Sequence, residues 1–134
     1  MADAFAPQPA VLLVEDDPVQ LMEAAASLRD AGFAVAEAAT VEVAQAHLAA
    51  RPELIALVAD VDLPGEPLSG FTLAKAVAAR WPERAILIVS GLAWPEEGAM
   101  PMGAGFLRKP FTADGLAKAL RSVLTARGLH SPGG

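Results

Sequence analysis

The sequence predicts an α/β domain built on a doubly wound, five-stranded parallel sheet with strand order 2-1-3-4-5. Short continuous apolar runs alternate with helix-length segments, which is typical of strands covered on both faces. Polar residues follow four of these runs directly. Because crossovers between parallel strands are right-handed, few topologies remain, and this order is the natural one for five strands. It places the first strand beside the third.

The five predicted strands share an apolar character and a short length. They span residues 10–15, 33–38, 54–60, 84–89 and 105–108. The fifth is the shortest. No internal repeat or second domain is visible between them.

The first two predicted helices have clear start and stop signals. Asp17 is a good N-cap, Pro18 suits the first helical position, and Gly32 ends the first helix. Thr40 caps the second helix, which closes at 51–52. The third runs from about 70 to 81, and Thr112 caps the last. The apolar residues at helical spacing are Leu21, Ala25 and Leu28; Val43, Ala44 and Leu48; Phe71, Ala74, Val77 and Trp81; and Leu116, Leu120, Val123 and Leu124.

The crossover after the fourth strand differs from the others. From Leu92 to Ala104 the chain has barely the dozen residues that a parallel crossover needs. Pro95 could open a helix, but the Gly and Pro residues that follow prevent its extension. We therefore predict a short or missing fourth helix, an irregular loop or a single turn. Three large apolar residues lie in this segment: Trp94, Met100 and Met102. They would either cover strand four or form a partner-binding patch, and we favour the first of these.

Composition and charge narrow the class of protein. The 134 residues are enough for one domain, predicted at 10–127 between a flexible leader at 1–9 and a disordered tail at 128–134. The absence of Cys excludes disulfides and thiolate metal sites. A net charge of −6 argues against direct nucleic-acid binding. No basic signal sequence or membrane-length apolar run is present, so we expect a cytoplasmic chain without membrane insertion.

The polar residues that follow the strands predict a functional edge. In such sheets ligands bind outside the carboxyl ends of the strands, where Glu15-Asp16, Asp60, Ser90 and Lys109 would converge. Carboxylates that crowd together favour a hard cation with oxygen ligands, and Mg²⁺ beside a phosphoryl group suits this set. For Asp17 we favour a simpler role, capping of the next helix.

Four segments together resemble bacterial response-regulator receiver domains, over roughly residues 10–126. They occur in the family's order: Val11 to Pro18 with Glu15-Asp16-Asp17, Ala59 to Gly65, Val89-Ser90-Gly91, and Phe106 to Phe111 with Lys109-Pro110. The likeness is to compact single-domain forms of alphaproteobacteria with a Ser-Gly-x-x-x-Pro stretch, and it implies a flavodoxin-like fold. The chain departs from common receivers in a longer loop at 64–70 and a shorter segment between 90 and 106.

The resemblance implies a role for each acidic residue. Asp60 matches the aspartate that accepts the phosphoryl group. Asp16 matches the carboxylate that binds Mg²⁺, together with Asp60, and Glu15 would act on the metal through water. Asp62 occupies the position that supplies a backbone carbonyl to the metal.

The resemblance also implies the residues that handle the phosphoryl group. Ser90 matches the hydroxyl that follows a phosphoryl oxygen, and Lys109 the ammonium that pairs with the phosphate. The bond from Lys109 to Pro110 is usually cis in the family. Phe106 falls at the switch aromatic, although a plain core role is equally compatible with the sequence.

The implied function is that of a phospho-accepting receiver in a two-component system or phosphorelay. Its donor would be a histidine kinase or a histidine phosphotransfer protein, and its output a protein–protein contact. It would catalyse its own phosphorylation and slow dephosphorylation without being a turnover enzyme. Whether it serves as a phosphoryl shuttle, a stand-alone regulator or a domain of a larger kinase stays open.

Two alternatives come from other classes of protein. A receiver-like adaptor could act without phosphorylation, although such forms usually lose one of the acidic residues or the lysine. Asp60-Val61-Asp62 also resembles the Asp-x-Asp of haloacid-dehalogenase-type phosphatases. Those enzymes carry the nucleophile on the first strand and an acidic pair later, whereas here the acidic pair comes first.

Overall fold

The computed structural model describes residues 8–62, 69–91 and 100–129. Across these ranges five parallel strands form one sheet in the order β2-β1-β3-β4-β5, as the sequence predicts. The elements, in chain order, are β1 (Ala10–Val14), α1 (Pro18–Asp30), β2 (Ala34–Ala38), α2 (Val41–Ala50), β3 (Leu54–Asp60), α3 (Ser69–Arg80), β4 (Ala85–Ser90), β5 (Gly105–Arg108) and α4 (Ala113–Ala126).

Most predicted boundaries hold to within one residue. β2 begins at Ala34 because the Phe33 N–H is bonded to the Leu28 carbonyl at the end of α1. β4 begins at Ala85 because the Arg84 N–H closes a turn onto the Trp81 carbonyl. These two backbone groups belong to the preceding helix ends and therefore cannot join the sheet.

The three predicted N-caps are confirmed. The Asp17 side chain accepts hydrogen bonds from the backbone N–H groups of Val19 and Gln20. Thr40 accepts from one N–H of α2, and Thr112 from one N–H of α4. Each cap satisfies a backbone donor that the first helical turn leaves without a carbonyl.

The core consists of two apolar layers, one on each face of the sheet. One layer joins the sheet to α2 and α3, and the other joins it to α1 and α4. The predicted helix faces are buried or half-buried with one exception. Val43 is 44% exposed because it lies one residue before Ala44, and so about 100° around α2 from the buried stripe. Val41 packs against the core in its place.

The predicted irregular crossover is described only at its end. Residues 92–99, with Trp94, lie outside the described ranges, and 100–104 contain no helix. Met100 packs against the α2–α3 layer, as expected for a covering residue. The same expectation is wrong for Met102, which is 97% exposed. A turn closed by the Ala104 N–H on the Pro101 carbonyl, with Gly103 at φ +82°, presents Met102 to solvent.

Two described residues lie at the predicted limits of the leader and the tail. The Pro9 carbonyl accepts from the Ala34 N–H, and Leu129 packs on the α1–α4 layer. Residues 1–7 and 130–134 lie outside the described ranges. Within those ranges, no helix has the length and apolar character needed to cross a membrane.

Gly70 lets the first turn of α3 lie directly on the end of β3. A Cβ at this position would stand 2.8 Å from the Val61 Cα and 2.9 Å from the Asp60 carbonyl oxygen. Both neighbours are backbone atoms, which cannot move aside without shifting the strand. The close approach therefore helps to fix the end of β3, where Asp60 lies.

Candidate functional site

The ends of β1, β3, β4 and β5 meet at one edge of the sheet. The register pairs Val14 with Ala59, Asp60 with Val89, and Ser90 with Arg108. Because the strands are parallel, the residues that follow these pairs emerge on the same side. This register is what brings Glu15, Asp60 and Lys109 together from distant parts of the chain.

Lys109 is the centre of the polar cluster at this edge. Its ammonium donates to Asp60 Oδ2 at 2.9 Å, to Glu15 Oε1 at 3.0 Å and to Gln20 Oε1 at 2.7 Å. An ammonium has three donors and no acceptor, so all of its hydrogen-bonding capacity is used. Its side chain is 20% exposed, which leaves it open to an incoming ligand. The Lys109–Pro110 peptide bond is cis, as the resemblance implies.

Glu15 is a buried carboxyl with an elevated pKa. Burial raises its pKa to about 7, the hydrogen bond and charge of Asp60 act in the same direction, and the hydrogen bond from Lys109 opposes them. Its second oxygen accepts from the Asp17 N–H at 3.2 Å. For Lys109, burial acts to lower the pKa, but hydrogen bonds to Asp60 and Glu15 outweigh it and raise the pKa overall.

The acidic cluster fits a small divalent cation. Glu15, Asp16 and Asp60 each offer a carboxylate oxygen, and these oxygens lie within 4.8 Å of one another. Asp16 is the most open of the three, while Glu15 and Asp60 are buried. Oxygen ligands of this kind, partly open to water, are those that Mg²⁺ prefers. Lys109 offsets only one of the charges that these groups carry when all three are ionised, so a cation would relieve the remaining repulsion.

Both oxygens of Asp60 have partners within the protein. Oδ1 accepts from the Asp62 N–H at 2.8 Å, and Oδ2 accepts from Lys109. The side chain is 4% exposed. Its orientation is therefore set from two sides, by the backbone that follows β3 and by the residue that follows β5.

Ser90 is paired with Asp62. The Ser90 hydroxyl donates to Asp62 Oδ1 at 2.6 Å, and the Gly91 N–H donates to Asp62 Oδ2 at 2.6 Å. Ser90 is fully buried at the end of β4. Its carbonyl accepts from the Lys109 N–H at 2.9 Å, which ties the end of β4 to the residue after β5.

The structure brings most of the predicted site residues to one edge, but three features were missed. Gln20, the Asp62 carboxylate and the Gly91 N–H were not named from the sequence. Gln20 lies on the first turn of α1, and no sequence signal indicates its contact with Lys109. The roles predicted for Asp62 as a carbonyl ligand and for Phe106, which is half-buried in β5, stay predictions.

A cleft of about 590 Å³ adjoins the cluster between α1 and α4. Glu15, Asp60 and Lys109 line one end, with Gln20 and Gly91 beside them. The rest of its lining comes from apolar residues of β1, β3 and β4, from one turn of α1, and from the segment that leads into α4: Leu13, Val14, Val58 and Val89; Glu23, Ala24 and Ser27; and Pro110, Phe111, Ala113 and Leu116. The polar cluster therefore adjoins a partly apolar cleft.

Comparison with known proteins defines the class. The family model described as the response regulator receiver domain matches residues 11–121. The chain belongs to this family. Its fold is similar to the response regulator receiver protein of Sinorhizobium medicae (TM-score 0.80, 27% identity, 90% of this chain and 97% of the other). It is also similar to the chemotaxis response regulator CheY4 of Vibrio cholerae (TM-score 0.73, 31% identity, 87% and 99%).

Curated relatives are longer regulators. The chain is 33% identical to the nitrogen assimilation regulatory protein NtrX of Azorhizobium caulinodans, over 90% of this chain and 26% of that protein. It is 31% identical to the hydrogenase transcriptional regulatory protein HoxA of Cupriavidus necator, over 90% and 25%. The chain thus spans about a quarter of the length of these relatives. The receiver-domain family places this chain among the proteins of two-component systems.

Proposed function

We propose that this receiver domain accepts a phosphoryl group on Asp60 from a phosphohistidine, in a reaction that requires Mg²⁺. The donor would be a histidine kinase or a histidine phosphotransfer protein. The observation that carries the proposal is the contact of 2.9 Å between Asp60 Oδ2 and the Lys109 ammonium, inside an acidic cluster open to a cleft.

The transfer needs one bond to form and one to break. A carboxylate oxygen of Asp60 attacks phosphorus, and the bond from phosphorus to the donor's imidazole nitrogen breaks. The electron pair stays on that nitrogen, which takes a proton from solvent. Lys109 would hold the attacking carboxylate in place and stabilise charge on the transferring oxygens, a contribution that preorganised groups make without reorganising.

The metal would be held by Asp16 and Asp60, with the Asp62 backbone carbonyl, and by Glu15 through water. When bound, Mg²⁺ would supply positive charge that offsets the phosphoryl oxygens. The spacing of the three carboxylate oxygens supports this set. Glu15 must lose its proton to contribute fully, and in the metal-free protein burial raises its pKa to about 7.

Substitution of the acceptor tests the proposal. Asp60→Asn should abolish acid-stable, base-labile label from a phosphohistidine donor, because an amide does not attack phosphorus. Asp114→Asn, which removes an exposed acid of α4, is the matched control and should label like the wild type. Undiminished label on Asp60→Asn would refute the assignment of the acceptor.

Two further measurements separate the proposal from its alternatives. Receiver domains are typically not turnover enzymes, so we expect no steady hydrolysis of a small phosphomonoester, which a phosphatase of the Asp-x-Asp type would show. An adaptor independent of phosphorylation would take no label from any donor. Phosphotransfer profiling against the histidine kinases of the host would identify the donor.

A further inference from the structure

We propose that the Asp62 carboxylate fills an anion site that the phosphoryl group on Asp60 must take over, so that Asp62 competes with phosphorylation. The anion site consists of two donors, the Ser90 hydroxyl and the Gly91 N–H. This inference rests on the proposed function of Asp60 and adds to it a residue that sets the rate and equilibrium of phosphoryl entry.

The first argument is the geometry of the contact. The two carboxylate oxygens of Asp62 each accept one hydrogen bond of 2.6 Å, one from Ser90 and one from Gly91. Hydrogen bonds to an ionised oxygen are shorter and about twice as strong as neutral ones. Ser90 is fully buried, so its hydroxyl is held by protein groups rather than by bulk water. The donors are thus matched to an anion with two oxygens.

The second argument is the position of the anion site relative to the acceptor. The Asp62 N–H contacts Asp60 Oδ1 at 2.8 Å, so the acceptor and Asp62 are held side by side. Gly91 lines the same cleft as Asp60 and Lys109. A Cβ on Gly91 would lie 3.3 Å from the Lys109 Cβ and 3.7 Å from Asp62 Oδ2. The anion site therefore lies beside Lys109 and beside Asp62, the residue that contacts the acceptor.

The third argument is chemical. A phosphoryl group on Asp60 has three terminal oxygens that accept and none that donate. Lys109 can serve one of them, and the Ser90 hydroxyl and Gly91 N–H are suited to others. While Asp62 holds both of these donors, the phosphoryl group lacks them and also faces a like charge. Phosphorylation would then require the Asp62 carboxylate to move away, and its loss should favour the phosphorylated state.

Binding of a phosphoryl mimic measures this competition directly. Beryllofluoride, with Mg²⁺ present, would be titrated into the full chain by calorimetry for wild type, Asp62→Ala and Asp62→Asn. We expect Asp62→Ala to bind about tenfold more tightly, because the two hydrogen bonds of the Asp62 carboxylate no longer have to be broken. Asp62→Asn keeps one acceptor oxygen and loses the charge, so it should fall between the two. Asp114→Asn, the matched change of charge on α4, should equal wild type.

A second substitution identifies the mechanism. In a Ser90→Ala background half of the anion site is gone, so Asp62→Ala should improve beryllofluoride affinity by less than it does in wild type. If Asp62 has only a structural role, its variants should bind beryllofluoride no more tightly than the protein with Asp62, both in wild type and in the Ser90→Ala background. That result would overturn the proposal. The Asp62→Asn variant keeps the test valid if Asp62→Ala does not fold.

The outcome also distinguishes this inference from the function on which it rests. If wild type binds beryllofluoride and labels on Asp60, but the Asp62 variants bind no more tightly, only the role of Asp62 fails. If neither wild type nor the variants bind the mimic or take label, the proposed function fails and the inference with it. Tighter binding by both variants, with faster labelling from a small phosphodonor, supports both.

Discussion

Two cations, one half-buried and one buried, lie at opposite ends of the strands and have different kinds of partner. Lys109, after β5, contacts two carboxylates and the Gln20 amide. Arg84, just before β4, is 4% exposed and donates to the carbonyls of Leu48 and Arg51 at 3.1 and 3.0 Å. Arg84 also lies 4.7 Å from the centre of the Trp81 ring. One cation faces charged oxygens, and the other faces neutral ones.

The different partners of Lys109 and Arg84 indicate different roles, one in the proposed chemistry and the other in the stability of the fold. If, as proposed, the carboxylates around Lys109 bind a metal and accept a phosphoryl group, the contacts of Lys109 would change with ligand state. The carbonyls around Arg84 close the C-terminal end of α2 and have no such chemistry. We therefore expect substitutions at Lys109 to change chemistry more than stability, and those at Arg84 to do the reverse.

The largest expected effect is at Lys109. Lys109→Ala should slow labelling from a small phosphodonor about 100-fold, the scale seen when one preorganised donor is removed. Circular dichroism should show that the variant remains folded with Mg²⁺ present, because the metal then supplies the positive charge near Glu15 and Asp60. Labelling within a few-fold of wild type would show that the ammonium does not act on the phosphoryl group.

Arg84→Leu should lower the stability of the protein and leave its labelling rate unchanged. The two carbonyls at the end of α2 lose their donors, and we expect the free energy of unfolding to fall by about 2–4 kcal/mol in urea titrations. Under conditions where the variant is fully folded, its labelling rate should equal wild type. Arg84→Lys keeps the charge but cannot span both carbonyls, so its free energy of unfolding should lie between those of wild type and Arg84→Leu. A labelling defect in folded Arg84→Leu as large as that of Lys109→Ala would remove the distinction.

The fold and most of the site could be predicted because local rules and the global topology agree. Continuous apolar strands, three side-chain caps and the parallel topology all indicate one arrangement, and the register then brings strand ends together. Val43 was assigned to the wrong face because in an Ala-rich helix several stripes look equally apolar. Met102 was assigned wrongly because a turn between Pro101 and Ala104, rather than hydropathy, determines its direction.

The contacts within the site were harder to predict than the residues themselves. The sequence places Ser90 and Asp62 at the functional edge, but strand-end positions do not say which acceptor a hydroxyl chooses. That choice depends on the side-chain direction of Asp62 and the backbone at Gly91. Gln20 was missed for a similar reason, because a single exposed amide on a helix carries no pattern. Three-dimensional placement, rather than residue type, identifies both contacts.

The pKa of Glu15 predicts how the stability of the metal-free protein depends on pH. An acid whose folded pKa is raised binds more protons when folded, so its stabilising effect is present at low pH and is lost as pH rises. For Glu15 this window runs from the ordinary value of 4.5 to about 7. In a chelating buffer, the free energy of unfolding of wild type relative to Glu15→Gln should therefore fall by about 1–3 kcal/mol between pH 5 and pH 8.

Urea titrations of both proteins at the two pH values measure this difference. Mg²⁺ should reduce it, because a cation compensates the ionised carboxylate. Equal pH dependence in wild type and Glu15→Gln would mean that Glu15 keeps an ordinary pKa in the folded state, and that Lys109 neutralises it fully. The comparison of the two cations would then lose its electrostatic basis on the Lys109 side.

The smallest expected effect concerns Gln20, the neutral partner of Lys109. If the carboxylates around Lys109 engage a metal or a phosphoryl group, the Gln20 amide oxygen still anchors the ammonium at 2.7 Å. Gln20→Leu should therefore slow labelling about fivefold, the scale of one exposed hydrogen bond to a charged group, with unfolding free energy unchanged within about 0.5 kcal/mol. Met22→Leu, an exposed change on the same helix, is the control. If Gln20→Leu is labelled as fast as this control, the carboxylates alone position Lys109, and the neutral amide contributes nothing. Lys109 would then differ still more from Arg84, which neutral carbonyl oxygens hold.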